Sequence, residues 1–133
     1  MKIIFLYFDE MVYSNFEQVP VWQQSRQFVA QIYGLTDTNF KRDYDLIGQI
    51  RRASLSIPLN IAEGFERKTN KDFARFVNMA KASAGECRAA LYLAHDLGYL
   101  TAEMLDNLLK KIISISEQLS KFSEYLMKTS DFH

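Results

Sequence analysis

The run QIRRASLSIPLNIAEGFER, Gln49–Arg67, decides the fold. With Ile47 just before it, the residues Ile50, Ser54, Ile57 and Ile61 recur at 3-4-3-4 spacing, which marks one face of an α-helix. The spacing predicts a helix from about Asp43 to Glu66. Pro58 lies in its middle, removes the bond its N–H would donate to the Ser54 carbonyl, and crowds that carbonyl with its ring. A kink at Pro58 is expected rather than a break, because Ile57 and Ile61 stay in phase one turn apart. At about 100° per residue, two further sectors separate from this face. Arg52, Ser56, Asn60, Glu63 and Arg67 form a polar stripe, and Leu55, Leu59 and Ala62 form an apolar sector opposite the core. A helix in a lone bundle buries one stripe, so the leucine sector reads as a subunit interface. Scattered surface leucine is the alternative reading.

Working outward, three more amphipathic patterns flank this one. Pro20 opens a helix with Trp22, Ser25, Phe28, Val29 and Ile32 on its inner side, expected to stop near Gly34. Leu35–Lys41 then reads as a polar connection. Thr69 or Asn70 caps a third helix, with Asp72 in its first turn. Its buried side is Phe73, Phe76, Val77, Ala80, Ala84, Cys87, Leu91 and Ala94, and Gly98 ends it. Thr101 caps a fourth, in which Leu105, Leu108, Ile112, Ile115, Leu119, Phe122 and Leu126 repeat as a bundle seam. Short connections at Arg67–Asn70 and Gly98–Thr101 imply antiparallel neighbours. The expected fold is therefore all-α, an antiparallel up-down four-helix bundle over residues 16–129, with an arm at 1–15 and a tail at 130–133.

The arm begins MKIIFLYF, which is β-prone and too short before Asp9 and Glu10 for a membrane span of roughly 20 residues. No small-residue cleavage site follows, so a cytoplasmic location is expected. Two readings of the arm stay open: a strand-like segment that docks on a neighbour, or translation from upstream of a start at Met11.

Composition narrows the chemistry. The chain has 133 residues, enough for one domain, with five glycines and two prolines, too few for a sandwich or barrel. One cysteine, Cys87, precludes an internal disulfide framework and fits a reducing compartment. Two histidines and one cysteine do not make a zinc site of the usual spacing. Di-iron bundles need glutamate three residues before histidine, but Tyr92 precedes His95 and Ser130 precedes His133 at that distance. No phosphate loop or nucleophile elbow occurs. Glu63 and Glu86 are the one conceivable carboxylate pair. They read better as members of a structural polar network with Ser56, Asn60 and Ser83. No enzyme, cofactor, metal or membrane role is expected.

Sixteen basic residues balance sixteen acidic ones, yet residues 41–88 carry a net +4 and both flanks are net negative. Arg51, Arg52, Arg67, Lys68, Lys71 and Arg75 are the candidate phosphate contacts, since a ring of subunits could gather them on one surface. A solvated, salt-bridged face is the competing reading.

The segments VWQQSRQFVAQIY at 21–33, QIRRASLSIPLNIAEGFER at 49–67 and FARFVNMAKASAGECRAALYLAHDLGYL at 73–100 resemble the four helix bundle protein family. Its members are also called 23S rRNA intervening sequence proteins, and SIPLNIAEG at 56–64 is the most specific part. The resemblance implies a small bacterial cytoplasmic protein, an antiparallel four-helix bundle and a ring-shaped homopentamer without established enzymatic activity. A related branch, the accessory variability determinant of diversity-generating retroelements, binds nucleic acid through a basic surface; this chain lacks that branch's strong basicity. Two departures stand in the third helix: Ala82 precedes Ser83 with Gly displaced to 85, and Arg88 replaces an acid two residues after Glu86. Two functions are thus expected: an RNA- or DNA-associated adaptor, or a protein-interaction scaffold that never meets nucleic acid.

Overall fold

The structure, a computed structural model, describes residues 4–6 and 11–129. The tail at 130–133 lies outside the described residues, as do 1–3 and 7–10. Within the arm, β1 (Ile4–Leu6) pairs in antiparallel register with β2 (Met11–Tyr13), Ile4 opposite Tyr13 and Leu6 opposite Met11. A 3-10 turn at Phe16–Gln18 leads into four helices: α1 (Pro20–Thr38), α2 (Tyr44–Phe65), α3 (Asn70–Asp96) and α4 (Ala102–Lys128). The all-α fold expected from the periodicity is present. Among the described residues, no helix is long and apolar enough to cross a membrane.

Caps explain where three helices start. Asp43 accepts from the Leu46 N–H, Thr69 from the Asp72 N–H and Thr101 from the Met104 N–H, each satisfying one orphan donor. α2 is one continuous helix through Pro58. α1 corrects the expected boundary: it runs four residues beyond Gly34, so much of the presumed polar connection is helical. Its buried positions are Val21, Ser25, Phe28, Ile32 and Thr36, a 4-3-4-4 stripe that carries the apolar face past Ile32. The Thr36 hydroxyl is satisfied by donating back to the Ile32 carbonyl at 2.9 Å, which lets a polar residue sit in the core.

α2 packs most extensively on α3, and α3 on α4, while α1 meets α4 only sparsely. Contacts run in opposite numerical order along neighbours: Gln24 meets Gln118 and Gln31 meets Lys111 across α1 and α4. Ser56 meets Ser83, and Gly64 lies against Phe73 and Phe76, across α2 and α3. All eight positions expected on the inner side of α3 are buried. Six of the seven on α4 are buried too, Leu105 being partly exposed. Phe73 anchors one end of this core, meeting Phe65 and Phe122 edge-on at 5.8 and 5.1 Å. At the opposite end the Tyr99 hydroxyl donates to Asp43 Oδ2 at 2.9 Å, tying the start of α2 to the turn before α4. That bond, with burial second, raises the Tyr99 pKa.

Candidate functional site

The outer surface of α2 and α3 concentrates the unusual side chains. Among the described residues the large hydrophobic side chains left exposed are Tyr44, Leu55, Leu59, Met79, Tyr92, Leu93, Leu97 and Met127. Three stand on α2, three on α3 and Leu97 caps α3, so only Met127 falls elsewhere. Leu59 is 64% exposed, and Ala62 half-buried, in the sector opposite the core. The Ser56–Ser83 contact sets the level of the two helices, and it puts Met79 beside Asn60, one residue from Leu59.

Between the exposed leucines and the core runs a short polar seam. Asn60 Nδ2 donates to the Ser56 carbonyl and hydroxyl, both at 2.8 Å, and Ser83 Oγ donates to Ser56 Oγ at 2.9 Å. These three residues are brought together as the sequence suggested. Glu63 and Glu86 are not part of the seam. Glu63 turns to Arg67 at 2.9 Å, and Glu86 is exposed. Counting from Ser56 and Ser83 in opposite directions, at 1.5 Å per residue the two carboxylates lie about 15 Å apart along the helix axes. No general acid–base pair forms at that separation. Among the described residues no three His, Cys, Asp or Glu side chains converge.

The six candidate phosphate contacts do not share one patch. Arg51 and Arg52 are separated from the 67–75 group by about 22 Å of helix. Arg51 turns toward α1: its Nε donates to Thr36 Oγ1 and its Nη2 to Asp37 Oδ1, both at 2.8 Å. Its guanidinium stacks 4.4 Å from the Tyr33 ring. This makes it a tie between helices. Arg52 is exposed and, among the described residues, reaches only Gln49 at 3.5 Å. At the α2–α3 turn, Arg67 and Arg75 lie 4.5 and 4.6 Å from the Phe76 ring and both reach the carboxylate of Asp72. Lys68 and Lys71 are exposed beside them.

The tie from Arg51 to α1 is hidden in the sequence because Thr36 and Asp37 have the composition of a turn. Continuing the Ser25–Phe28–Ile32 stripe by four residues would have placed Thr36 on the inner face. The stacking on Phe76 had no sequence signal, since Phe76 reads as ordinary core. Cys87 is fully buried, and burial, helped by the nearby charge of Glu86, pushes its thiol up to about 12 from 9.0. It is an inert core residue. His95 sits half-buried at the boundary, as its phase implied.

Comparison with solved structures finds a protein of unknown function from the S23 ribosomal protein family of Bacteroides thetaiotaomicron. It superposes with a TM-score of 0.71 at 24% sequence identity, over 78% of this chain and 98% of that one. That likeness establishes the shared fold. A comparison with curated proteins finds no match. The sequence model of the 23S rRNA-intervening sequence protein family matches residues 17–121, which takes in all of α1, α2 and α3 and most of α4. The chain belongs to the 23S rRNA-intervening sequence protein family.

Proposed function

We propose that the protein is a non-enzymatic scaffold that assembles with copies of itself, as a pentameric ring, through the outer surface of α2 and α3. One observation carries this reading: among the described residues, seven of the eight exposed large hydrophobic side chains belong to those two helices and the cap of α3. Unpaired apolar surface of this kind marks an association site. The same surface holds charges of both signs. Arg52 and Glu86 fall level with each other by the Ser56–Ser83 register, and both are exposed. A second copy can therefore meet the surface with complementary charge as well as apolar area. Light scattering on the purified chain should give a mass several times 15.5 kDa. Leu59→Asp should reduce that mass toward the monomer. A wild-type monomer at micromolar concentration refutes the reading.

A second reading, contact with RNA or DNA, draws on Lys68 in the α2–α3 turn and Lys71 in the first turn of α3, both exposed, with Arg75 one turn further on. A ring would repeat this turn around its rim. Arg51 does not support it, being committed to Thr36, Asp37 and Tyr33. Fluorescence anisotropy with structured RNA and duplex DNA across a salt series tests it. Micromolar binding at physiological salt, weakened by Lys68→Ala with Lys71→Ala and unaffected by Arg51→Met, would support it. Binding at low salt alone would remove it.

A further inference from the structure

We infer that the cleft between α1 and α4 is a binding site for a small organic anion, a carboxylate carried on an apolar body. The cleft encloses about 310 Å³, the lower end of the range for small-ligand sites. Phe28 and Ile115 form its floor. Its walls carry glutamine amides from α1 and the ammonium groups of Lys110 and Lys111 from α4, and among the described residues no carboxylate lines it.

Three contacts fix which way the amides face. Lys111 Nζ donates to Gln31 Oε1 at 2.9 Å, and an ammonium has no acceptor, so the oxygen of Gln31 must point to it. Gln118 Nε2 donates to the Ser114 carbonyl at 3.3 Å, and a carbonyl only accepts. The same nitrogen donates to Gln24 Oε1 at 2.7 Å, so the oxygen of Gln24 is also engaged. With both oxygens engaged, the NH2 groups of Gln24 and Gln31 remain as donors. Lys111 rests on an amide rather than on a carboxylate, and among the described residues Lys110 pairs only with Asp106, both largely exposed at 3.1 Å. Such a pair is weak and yields easily to a better-placed anion.

The donors are not evenly distributed. Gln31 and Lys111 make a cationic end, and Gln24 lies seven residues away, about 10 Å along α1. A carboxylate at the cationic end lays its apolar body along the methylene stems of Lys110 and Lys111 and the small exposed edges of Phe28 and Ile115. The cleft also spans the sparsest of the neighbouring helix pairs, and an occupant bridging α1 and α4 raises the melting temperature by an amount that grows with the logarithm of its concentration over Kd. The inference does not depend on self-association, which uses the opposite helix pair.

The test is a titration of the full chain with sodium hexanoate, 1-hexanol and sodium phosphate at matched ionic strength. Two-dimensional NMR would read the side-chain amides of Gln24 and Gln31 and the backbone of residues 110–115. Hexanoate should shift these signals saturably in the millimolar range or below, with the alcohol and phosphate each about tenfold weaker or more, the worth of one charged contact or one buried apolar body. Lys111→Met keeps the stem and should cost at least about tenfold in affinity. Gln31→Glu, which supplies Lys111 with an internal carboxylate, should abolish binding whether or not Lys111→Met folds. The inference is overturned by the absence of a saturable shift, by hexanol or phosphate matching hexanoate, by shifts confined to other lysines, or by binding that survives Gln31→Glu.

Discussion

Replacing Gly64 by alanine should force α2 and α3 apart. A methyl group at this position would stand 2.8 Å from Phe73 Cδ1 and 2.8 Å from Phe76 Cβ. Carbon atoms pack at about 3.5–4.0 Å, so a separation of roughly 1 Å is required. Neither neighbour can retreat cheaply. Phe76 Cβ is fixed to the α3 backbone, and the Phe73 ring is held between Phe65 and Phe122. Overpacking of this kind costs about 1–3 kcal/mol, and two rigid contacts place Gly64 at the upper end. The alanine recovers about 1 kcal/mol of helix propensity, leaving a net loss of about 2 kcal/mol. For a chain of this length that corresponds to roughly 7 °C in Tm. Gly34 is the internal control. It lies within α1 with nothing inside 4 Å of the added methyl, so Gly34→Ala should gain about 0.5–1 kcal/mol. Urea denaturation followed by circular dichroism, at one protein concentration so that assembly does not confound the midpoint, reads both variants. A Gly64→Ala protein as stable as the wild type would refute the close-approach argument, and a Gly34→Ala protein equally destabilised would show that the two sites do not differ as described.

Ile57 is fully buried and Leu59 is 64% exposed on the same helix, so aspartate should be costly at 57 and tolerated at 59. Ile57→Asp is expected to lose about 3–5 kcal/mol and Leu59→Asp less than about 1 kcal/mol, measured by denaturation where both are monomeric; an inverted order overturns the assignment of faces. Cys87 should resist iodoacetamide at pH 8 in the native protein and react once unfolded. Its folded pKa of about 12 exceeds the 9.0 of an exposed thiol, so the stability from keeping it neutral is complete below pH 9 and is lost as pH rises from 9 toward 12. Cys87→Ala should flatten that decline relative to wild type, and superimposable stability curves from pH 8 to 11 would contradict the burial argument.

The core was legible because it obeys a local rule. Each buried position on α3 follows from the one a turn earlier, and the same spacing carried α4 from Leu108 to Leu126. The end of α1 was not legible, since Thr36, Asp37 and Thr38 have turn-like composition and become helical through back-bonds and a tie to Arg51 that lies 14 residues on. The leucine sector of α2 was visible as a phase, and its continuation onto α3 at Met79 and Leu93 was not, because no single-helix pattern says which exposed residues of two helices become neighbours. The split of the basic residues has the same origin. Charge counting placed six cations in one stretch of chain, whereas the helix that stands beside each cation determines whether it is spent internally.

The uneven packing of α1 has a consequence for local opening. α3 packs extensively on both α2 and α4, while α1 packs less on α2 and least on α4, its Phe28 and Ile32 reaching the common core beneath amide and lysine contacts at the surface. Protection against hydrogen exchange should therefore divide the molecule into a slow unit of three helices and a faster unit formed by α1. Such an excursion would uncover Phe28 and Ile32 without disturbing Leu55 or Leu59, so the surface proposed for self-association would keep its shape while one wall of the bundle breathes.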